Sequence, residues 1–237
     1  MYPADLFAAT HRGTEGDLAF YLRHCAGARS VLELGCGWGR VLRELAAVVP
    51  DVHGLDIDDA LLGLAAGSRA HLHRADMTRF DLGRTFDRIV IPHSGIYCLT
   101  GEDAVRRCFA AVRRHLEPDG SLALDAYVAD AFHGRSSGQT WDDDEEIELD
   151  PVRARGQPWR LFERSHWDRA TQRIDVAYRY LATDGTSIEA RIEHRYLLRS
   201  QVETLLGGAG FEQVEIDGGF AGEPWREDAP AMVVVAR

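Results

Sequence analysis

Residues 31–40 read VLELGCGWGR and place three glycines at every second position directly after a short apolar run. An apolar run followed by glycines predicts a buried strand that turns sharply into a helix. Glycines in such a turn allow a ligand to lie against the backbone, where a Cβ atom would collide with it. The segment therefore predicts an α/β fold with a ligand at the end of its first strand.

The spacing of these glycines argues against a dinucleotide ligand. A dinucleotide-binding turn has the pattern G-x-G-x-x-G, whose third glycine permits close helix packing beside a pyrophosphate. Here the glycines are Gly35, Gly37 and Gly39, and Arg40 stands at the place of that third glycine. Glu33 puts a carboxylate at the mouth of the turn, which repels a diphosphate and attracts a cation. The turn favours a ligand that carries an ammonium group.

The order of predicted elements defines the fold class. Strands and helices alternate up to about residue 127, starting with a helix over about 15–26, and this order implies right-handed βαβ units in a parallel sheet with helices on both faces. The pattern fails over about 128–158, where the acidic run DDDEEIELD predicts a solvated loop. Three strand-like stretches over about 158–197 predict an antiparallel β insertion, which serves either as a lid or as a dimer contact.

Charge and composition argue against several partners. The net charge is -11 and lysine is absent, so no basic stripe is present to bind nucleic acid or an anionic membrane. No apolar run approaches the length of a membrane span. The four cysteines form no C-x-x-C pair, and the N-terminal residues lack the features of a signal peptide, which predicts a cytoplasmic protein.

Several motifs in residues 30–127 resemble those of class I S-adenosylmethionine-dependent methyltransferases, in particular a subgroup of bacterial enzymes that act on small molecules. The pattern E-x-G-x-G-x-G runs from Glu33 through Cys36 to Gly39. In this family the turn holds the methionine end of the cofactor S-adenosyl-L-methionine. The resemblance implies a Rossmann-like, doubly wound, seven-stranded, mainly parallel sheet, followed here by the antiparallel β insertion.

Two further motifs supply the nucleoside contacts that the resemblance implies. In GLDI, Asp56 is expected to bond both ribose hydroxyls, with Ile57 against the adenine. In RADM, Asp76 is expected to accept a hydrogen bond from the adenine amino group, and the Met77 backbone to meet a ring nitrogen. We expect one methyltransferase domain over 1–237, divided into an N-terminal helical segment (1–29), a cofactor-binding core (30–127), the acidic loop and insertion (128–197), and a closing helix and hairpin (198–237).

Catalytic residues are less clear from the sequence than the cofactor site. Methyl transfer from a sulfonium mainly requires alignment of the acceptor and exclusion of water. His93, after the fourth strand, is a candidate base for an acceptor that must lose a proton, and Tyr97 is a candidate hydrogen-bonding partner of the acceptor; each could instead only form the pocket wall. His71 and His73 alternate on one strand, but two histidines without a further ligand do not predict a metal site.

The sequence thus predicts a cytoplasmic methyltransferase that moves a methyl group to nitrogen or oxygen of a small-molecule acceptor. The segment IPHS stands where many base and amide methylases have N-P-P-Y, which favours a small molecule over DNA. One alternative is a nicotinamide-dependent oxidoreductase on a related fold, which the glycine spacing disfavours. Another is a non-catalytic S-adenosylmethionine-binding protein. Monomer and homodimer both remain open.

Overall fold

The computed structural model describes residues 2–134, 140–142 and 146–237. Its centre is a seven-stranded sheet with the strand order β11-β12-β5-β4-β1-β2-β3. All neighbouring pairs are parallel except those made by β12, which runs antiparallel to both of its neighbours. The predicted doubly wound, mainly parallel sheet is confirmed. Its strands are β1 (Ser30–Leu34), β2 (Asp51–Asp56), β3 (His71–Arg74), β4 (Phe86–Ile91), β5 (Leu116–Ala126), β11 (Val214–Asp217) and β12 (Met232–Ala236).

Helices cover both faces of this sheet because its strands alternate apolar side chains between the two faces. On β1, Leu32 and Leu34 join a core cluster that includes residues of α5 and α7, whereas Val31 joins a second cluster with residues of α2, α3 and α4. The helices are α1 (Ala4–Thr10), α2 (Asp17–His24), α3 (Arg40–Val48), α4 (Asp59–Ala65), α5 (Glu102–Arg114), α6 (Asp130–Gly134) and α7 (Arg199–Gly208), with a 3-10 turn at Gly95–Cys98.

A second, antiparallel sheet is inserted between β5 and α7. It has the order β10-β9-β8-β6, and β7 also pairs with β8. Its inner face forms a third core cluster that includes Trp159 and Tyr180 and packs against Leu6 of α1. Its strands are β6 (Thr140–Asp142), β7 (Ile147–Ala154), β8 (Gln157–Asp168), β9 (Arg173–Ala182) and β10 (Ser187–Arg195).

The loop predicted for the acidic run is wrong at the end of that run, where β7 begins at Ile147. The segment 128–158 also contains the short helix α6 and the strand β6, and 135–139 and 143–145, which include part of the acidic run, lie outside the described residues. The acidic stretch forms a strand that pairs with β8 and packs Leu149 and Val152 into the third core cluster, while arginines on neighbouring strands offset its charge. Glu148 pairs with Arg160 at 2.8 Å, and Glu146 pairs with Arg179. The helix α1 lies inside the N-terminal helical segment expected over 1–29, but before the helix predicted over about 15–26.

Within the described ranges, no helix combines the length and the apolar character needed to cross a membrane.

Gly39 fixes the start of α3 against α4, and its substitution is expected to destabilise the fold. Gly39 has φ +81°, and a Cβ atom there would lie 3.0 Å from Cβ of Ala65. Gly39→Ala should therefore lower the free energy of unfolding in urea by about 1–3 kcal/mol. The matched control is Gly63→Ala in α4, where a Cβ atom meets nothing within 4 Å, and alanine should be neutral or stabilising by about 0.5–1 kcal/mol. Equal effects of the two substitutions would contradict this account of the turn.

Candidate functional site

A cavity of about 940 Å³ lies between the carboxyl ends of the parallel strands and the inserted sheet. Ligands bind in folds of this kind at the carboxyl ends of the strands. One half of the cavity is formed by the glycine turn after β1 and by the segments that follow β2, β3 and β4. The other half is formed by α1, by the segment around Tyr127 and by strands β8, β9 and β10.

The glycine turn presents bare backbone to this cavity. Gly35 and Gly37 have φ values of +67° and +52°, a region that favours glycine. A Cβ atom on Gly35 would meet no protein atom within 4 Å, and one on Gly37 would first meet Phe7 at 3.9 Å. Cys36 and Trp38 also line the cavity, whereas Gly39 does not. Two of the three glycines therefore form a ligand surface, and the third serves helix packing.

Glu33 lies at the mouth of the turn with an incomplete set of hydrogen bonds. It is only 3% exposed, and its Oε2 atom has no hydrogen-bond partner among the described residues. Burial raises the pKa of Glu33 to about 8; Arg40 opposes this rise, and the nearby Asp56 and Asp17 add to it. A buried carboxyl oxygen without a partner is costly, so this position suits a donor supplied by a ligand.

Arg40, at the place of the third glycine of a dinucleotide turn, ties α3 to α2. Its two terminal nitrogens donate to the two carboxylate oxygens of Asp17 at 2.9 and 2.6 Å. Both side chains are largely buried, so the pair is a fixed part of the cavity wall. Since its charge is matched by Asp17, Arg40 is a poor partner for a diphosphate.

Asp56, at the end of β2, holds the turn in place. Its Oδ2 accepts from the Gly37 N–H at 2.7 Å, and its Oδ1 accepts from the Asp58 N–H at 2.9 Å. Burial raises the pKa of this carboxyl, and the bonds from Asp58 and Gly37 oppose the rise. Each oxygen keeps a lone pair for a further donor, and Asp56 lines the cavity.

The predicted adenine contacts surround the same end of the cavity. Oδ1 of Asp76 accepts from the backbone N–H and the hydroxyl of Thr78, both at 2.8 Å. Although burial raises the pKa of Asp76, these bonds together with Arg79 and Arg107 lower it overall, so Asp76 is ionised. Ile57 is 65% exposed and lines the cavity together with the partly buried Met77. An apolar side chain exposed in a cavity suits a planar apolar ligand group.

His93 and Ser94 form a strained turn after β4. Both have positive φ values, 55° and 57°, which is uncommon outside glycine. Asp125 on β5 holds the turn, since its Oδ1 accepts from the His93 N–H at 2.8 Å and its backbone oxygen accepts from the Ser94 N–H at 3.0 Å. Such strain is typical of functional sites. It directs the His93 ring toward the cavity beside His11, with ring centroids 6.1 Å apart.

Three histidines from different parts of the chain meet in this half of the cavity. His194 of β10 joins His11 and His93. Burial lowers the pKa of all three, to about 3 for His11 and about 4 for His194, with further lowering of both by His93. All three imidazoles are therefore neutral near pH 7. Sequence reasoning missed His194, although its alternation with Ile192 on a predicted insertion strand marked an inward-facing polar position.

Tyr97 does not occupy the predicted position. Its ring is fully buried, and its hydroxyl lies 3.1 and 3.0 Å from the backbone oxygens of Tyr127 and Leu197. Because Tyr97 sits in the 3-10 turn behind the cavity wall, its hydroxyl is used to join that turn to the inserted segment. The predicted contact of Tyr97 with an acceptor is therefore corrected, and Tyr127 lines the cavity instead.

Comparison with known proteins points to a methyltransferase. Residues 31–120 match the family model of a methyltransferase domain. An N,N-dimethyltransferase of Streptomyces fradiae, named for dTDP-3-amino-3,6-dideoxy-alpha-D-glucopyranose, is 29% identical over 236 aligned positions, which cover 92% of this chain and 87% of that enzyme. The matching domain and this relative together indicate a class I S-adenosylmethionine-dependent methyltransferase.

Solved structures of related methyltransferases share the fold. A sugar N-methyltransferase from Streptoalloteichus is 23% identical with a TM-score of 0.74, covering 98% of this chain and 89% of its own. An amino pentose methyltransferase from Micromonospora echinaspora, solved with S-adenosylmethionine bound, is 24% identical with a TM-score of 0.72, covering 100% of this chain and 98% of its own. These likenesses show a shared fold, and the family model and the Streptomyces fradiae relative favour a methyltransferase over the nicotinamide-dependent oxidoreductase.

The residues present fit the methyl donor. S-adenosylmethionine carries an ammonium group, which matches the unpartnered Oε2 atom of Glu33 beside the bare backbone of Gly35. The nucleoside end offers hydroxyl and amino donors, which match the free lone pairs of Asp56 and Asp76.

The buried carboxyl of Glu33 gives the cofactor-free protein a defined pH dependence. With a pKa of about 8 in the folded protein and an ordinary value of 4.5 when unfolded, the folded state keeps a proton that the unfolded state loses. This contribution to stability is complete below pH 4.5 and is lost as the pH rises toward and through 8. In urea unfolding measured from pH 4.5 to above pH 8, Glu33→Gln should remove this contribution to the slope of the unfolding free energy against pH. An unchanged slope would contradict the assignment to Glu33.

Proposed function

We propose that this enzyme transfers a methyl group from S-adenosylmethionine to the amino nitrogen of an amino sugar. Three relatives support this substrate class, since each is named as an N,N-dimethyltransferase of a dTDP-linked amino sugar. Two relatives in the solved structures are a sugar N-methyltransferase and an amino pentose methyltransferase. The proposal takes the amine and the sugar from these relatives and leaves the activating group open.

The neutral histidine cluster is the observation in the cavity that most favours nitrogen over oxygen. A hydroxyl acceptor needs a strong base to remove its proton, whereas a neutral amine attacks with its own lone pair. Imidazoles with lowered pKa values, such as His11 and His194, are weak bases. Glu163, on β8, adds a carboxylate to the same half of the cavity, where it can receive an ammonium or sugar hydroxyl. This set of groups suits a polar amine.

Each end of the cofactor has a proposed partner in the chain. We assign Glu33 to the ammonium group, the backbone at Gly35 and Gly37 to the methionine portion, and Asp56 to the two ribose hydroxyls. Asp76 and the Met77 backbone are assigned to the polar edge of the adenine, and Ile57 to its face. The supporting observations are the unpaired Oε2 atom of Glu33, the position of the other residues on the cavity wall, and the exposed apolar surface of Ile57.

The chain's own residues then have simple tasks in catalysis. When bound, S-adenosylmethionine supplies a methyl group on a positively charged sulfur. The neutral thioether is a good leaving group and needs no further activation. The inserted sheet and α1 enclose the acceptor and limit the access of water. His93, neutral near pH 7, accepts the proton that the acceptor ammonium must lose before its nitrogen lone pair can attack. His11 and His194 are also neutral, so they add no positive charge that would repel this ammonium.

We also propose that the enzyme acts in the cytoplasm. The four cysteines are free thiols, as expected in a reducing compartment. The surface carries a net charge of -11, which suits a small-molecule enzyme better than one that binds nucleic acid or an anionic membrane. Both a monomer and a homodimer are compatible with this proposal.

The assignment of Asp56 predicts a loss of cofactor affinity on substitution. Asp56→Ala should weaken binding of S-adenosylhomocysteine, measured by calorimetry, by about 1.5–3 kcal/mol or more, since charge-assisted hydrogen bonds are lost. The midpoint temperature of thermal unfolding should also fall, because the Gly37 N–H loses its acceptor. Asp59→Ala, which removes an exposed carboxylate paired with Arg74, is the control and should leave affinity unchanged. Unchanged affinity in Asp56→Ala would refute the assignment.

The proposed reaction is tested with deuterium-labelled S-adenosylmethionine and a panel of acceptors. The panel contains amino sugars, the same sugars with hydroxyl in place of the amine, and simple amines, each with and without a nucleoside diphosphate where one exists. We expect the labelled methyl on the amino-sugar nitrogen in mass and NMR spectra. Methylation of the hydroxyl analogues instead would refute nitrogen as the acceptor atom, and methylation of simple amines alone would refute the sugar.

The role of His93 is tested by His93→Asn. Asparagine tolerates the positive φ at this position, so the turn is kept while the titrating imidazole is removed. We expect kcat to fall. In the unsubstituted enzyme kcat should decline at acid pH as His93 becomes protonated, and this decline should be absent in His93→Asn. A pH profile of kcat identical to that of the unsubstituted enzyme would show that His93 only forms the pocket wall.

A further inference from the structure

A second cluster of titratable side chains lies on the sheet outside the cavity. Asp51 and His53 alternate on β2, and His71 and His73 alternate on β3, the last strand of the sheet. His53 is directly paired with His71 in the strand register. Since alternate residues of a strand point to the same face, all four side chains share one face of this edge. None of them lines the cavity.

Two contacts compete at Nε2 of His53, which lies 3.1 Å from both Nη1 of Arg84 and Oδ1 of Asp51. A guanidinium only donates, so the contact with Arg84 requires the tautomer in which Nε2 accepts. Nδ1 of neutral His53 then carries the hydrogen and donates to Nε2 of His73 at 2.8 Å. In this tautomer His53 is neutral with Nε2 as an acceptor.

This arrangement leaves two acceptor atoms close together. Oδ1 of Asp51 lies 3.1 Å from Nε2 of His53. In this tautomer two acceptor atoms face each other, and the positively charged Arg84 guanidinium reduces the repulsion between them. Donor atoms of Asp51, His53 and His71 all lie within 4.8 Å of one another. Two acceptors at this separation match adjacent ligands on one cation, given metal–ligand bonds of about 2.0–2.2 Å.

We propose that Asp51, His53 and His71 bind one divalent transition-metal cation of the Zn²⁺ type. Two imidazoles and a carboxylate suit such a cation, whereas Mg²⁺ and Ca²⁺ prefer oxygen ligands alone. Because His71 is exposed, a further coordination position is open to water, and binding is reversible.

One neighbouring residue supports the ligands, and a second competes with the cation for them. The His73 ring accepts the Nδ1–H of His53 and so holds Nε2 free to ligate, which is the common arrangement around metal-bound histidines. Arg84 donates to Oδ2 of Asp51 and orients the carboxylate. It also occupies the place of the cation in the metal-free protein, and its half-exposed side chain has room to withdraw from His53.

The bound cation would connect β2 to the edge strand β3. These two strands lead to Asp56 and Asp76, which are assigned to the nucleoside end of the cofactor. A cation at this site therefore stabilises the part of the sheet on which those carboxylates are held, without contacting the cavity.

The site is tested by titrating the chelator-treated, full-length chain with Zn²⁺ in a calorimeter. We expect one site per chain, with affinity reduced at least about tenfold in His53→Ala and in His71→Ala. His71 is exposed, so its removal should not affect folding, which circular dichroism checks. His166→Ala, which removes an exposed histidine on the other sheet, should bind Zn²⁺ normally.

Arg84→Met provides a second, opposite readout. Removing the positive charge beside His53 should raise Zn²⁺ affinity, since the cation no longer competes with the guanidinium. The proposal is overturned if the unsubstituted chain binds no Zn²⁺, if His53→Ala and His71→Ala bind it normally, or if Mg²⁺ binds equally well. Binding that is lost only on substitution of the exposed Cys98 would likewise place the cation elsewhere.

Discussion

The site depends on one buried carboxyl group beside a turn without side chains. Glu33 brings into the interior an oxygen that no described residue satisfies, while Gly35 and Gly37 leave space directly beside it. Burial of such a group is unfavourable in the empty protein and becomes favourable when a cation arrives. Asp56 fixes the distance between the turn and the next strand by accepting the Gly37 N–H. This arrangement suits a ligand that carries an ammonium group.

The acceptor side is built by different means. Asp125 lies at the centre of the sheet, where its side chain accepts from Tyr21 and from the His93 backbone, so that one buried carboxylate supports both α2 and the strained turn. The inserted sheet then brings His194 opposite that turn. The cofactor half thus relies on the parallel sheet, and the acceptor half relies on contacts between segments far apart in the chain.

This difference explains what could be predicted from the sequence. The cofactor half could be predicted because glycine spacing and acids at strand ends are local signals in the sequence. As expected from these signals, Glu33, Asp56 and Asp76 all line one cavity. The acceptor half could not be predicted, because tertiary packing buries Tyr97 behind the cavity wall and places Tyr127 on the wall instead. No local sequence pattern indicates this. The acidic segment was predicted to be a loop because its strand depends on pairing with β8 and on packing of Leu149 and Val152, which the charge of the run conceals.

The central claim, that Glu33 receives the ammonium group of the cofactor, is tested most directly by calorimetry of S-adenosylhomocysteine binding at pH 7 in buffers of different ionisation enthalpy. Glu33 has a pKa of about 8 in the free protein and is mostly protonated, so a cation placed beside it should drive the proton off. The account predicts proton release by the unsubstituted enzyme, and weaker binding without this release by Glu33→Gln. Equal proton exchange in the two proteins would contradict it.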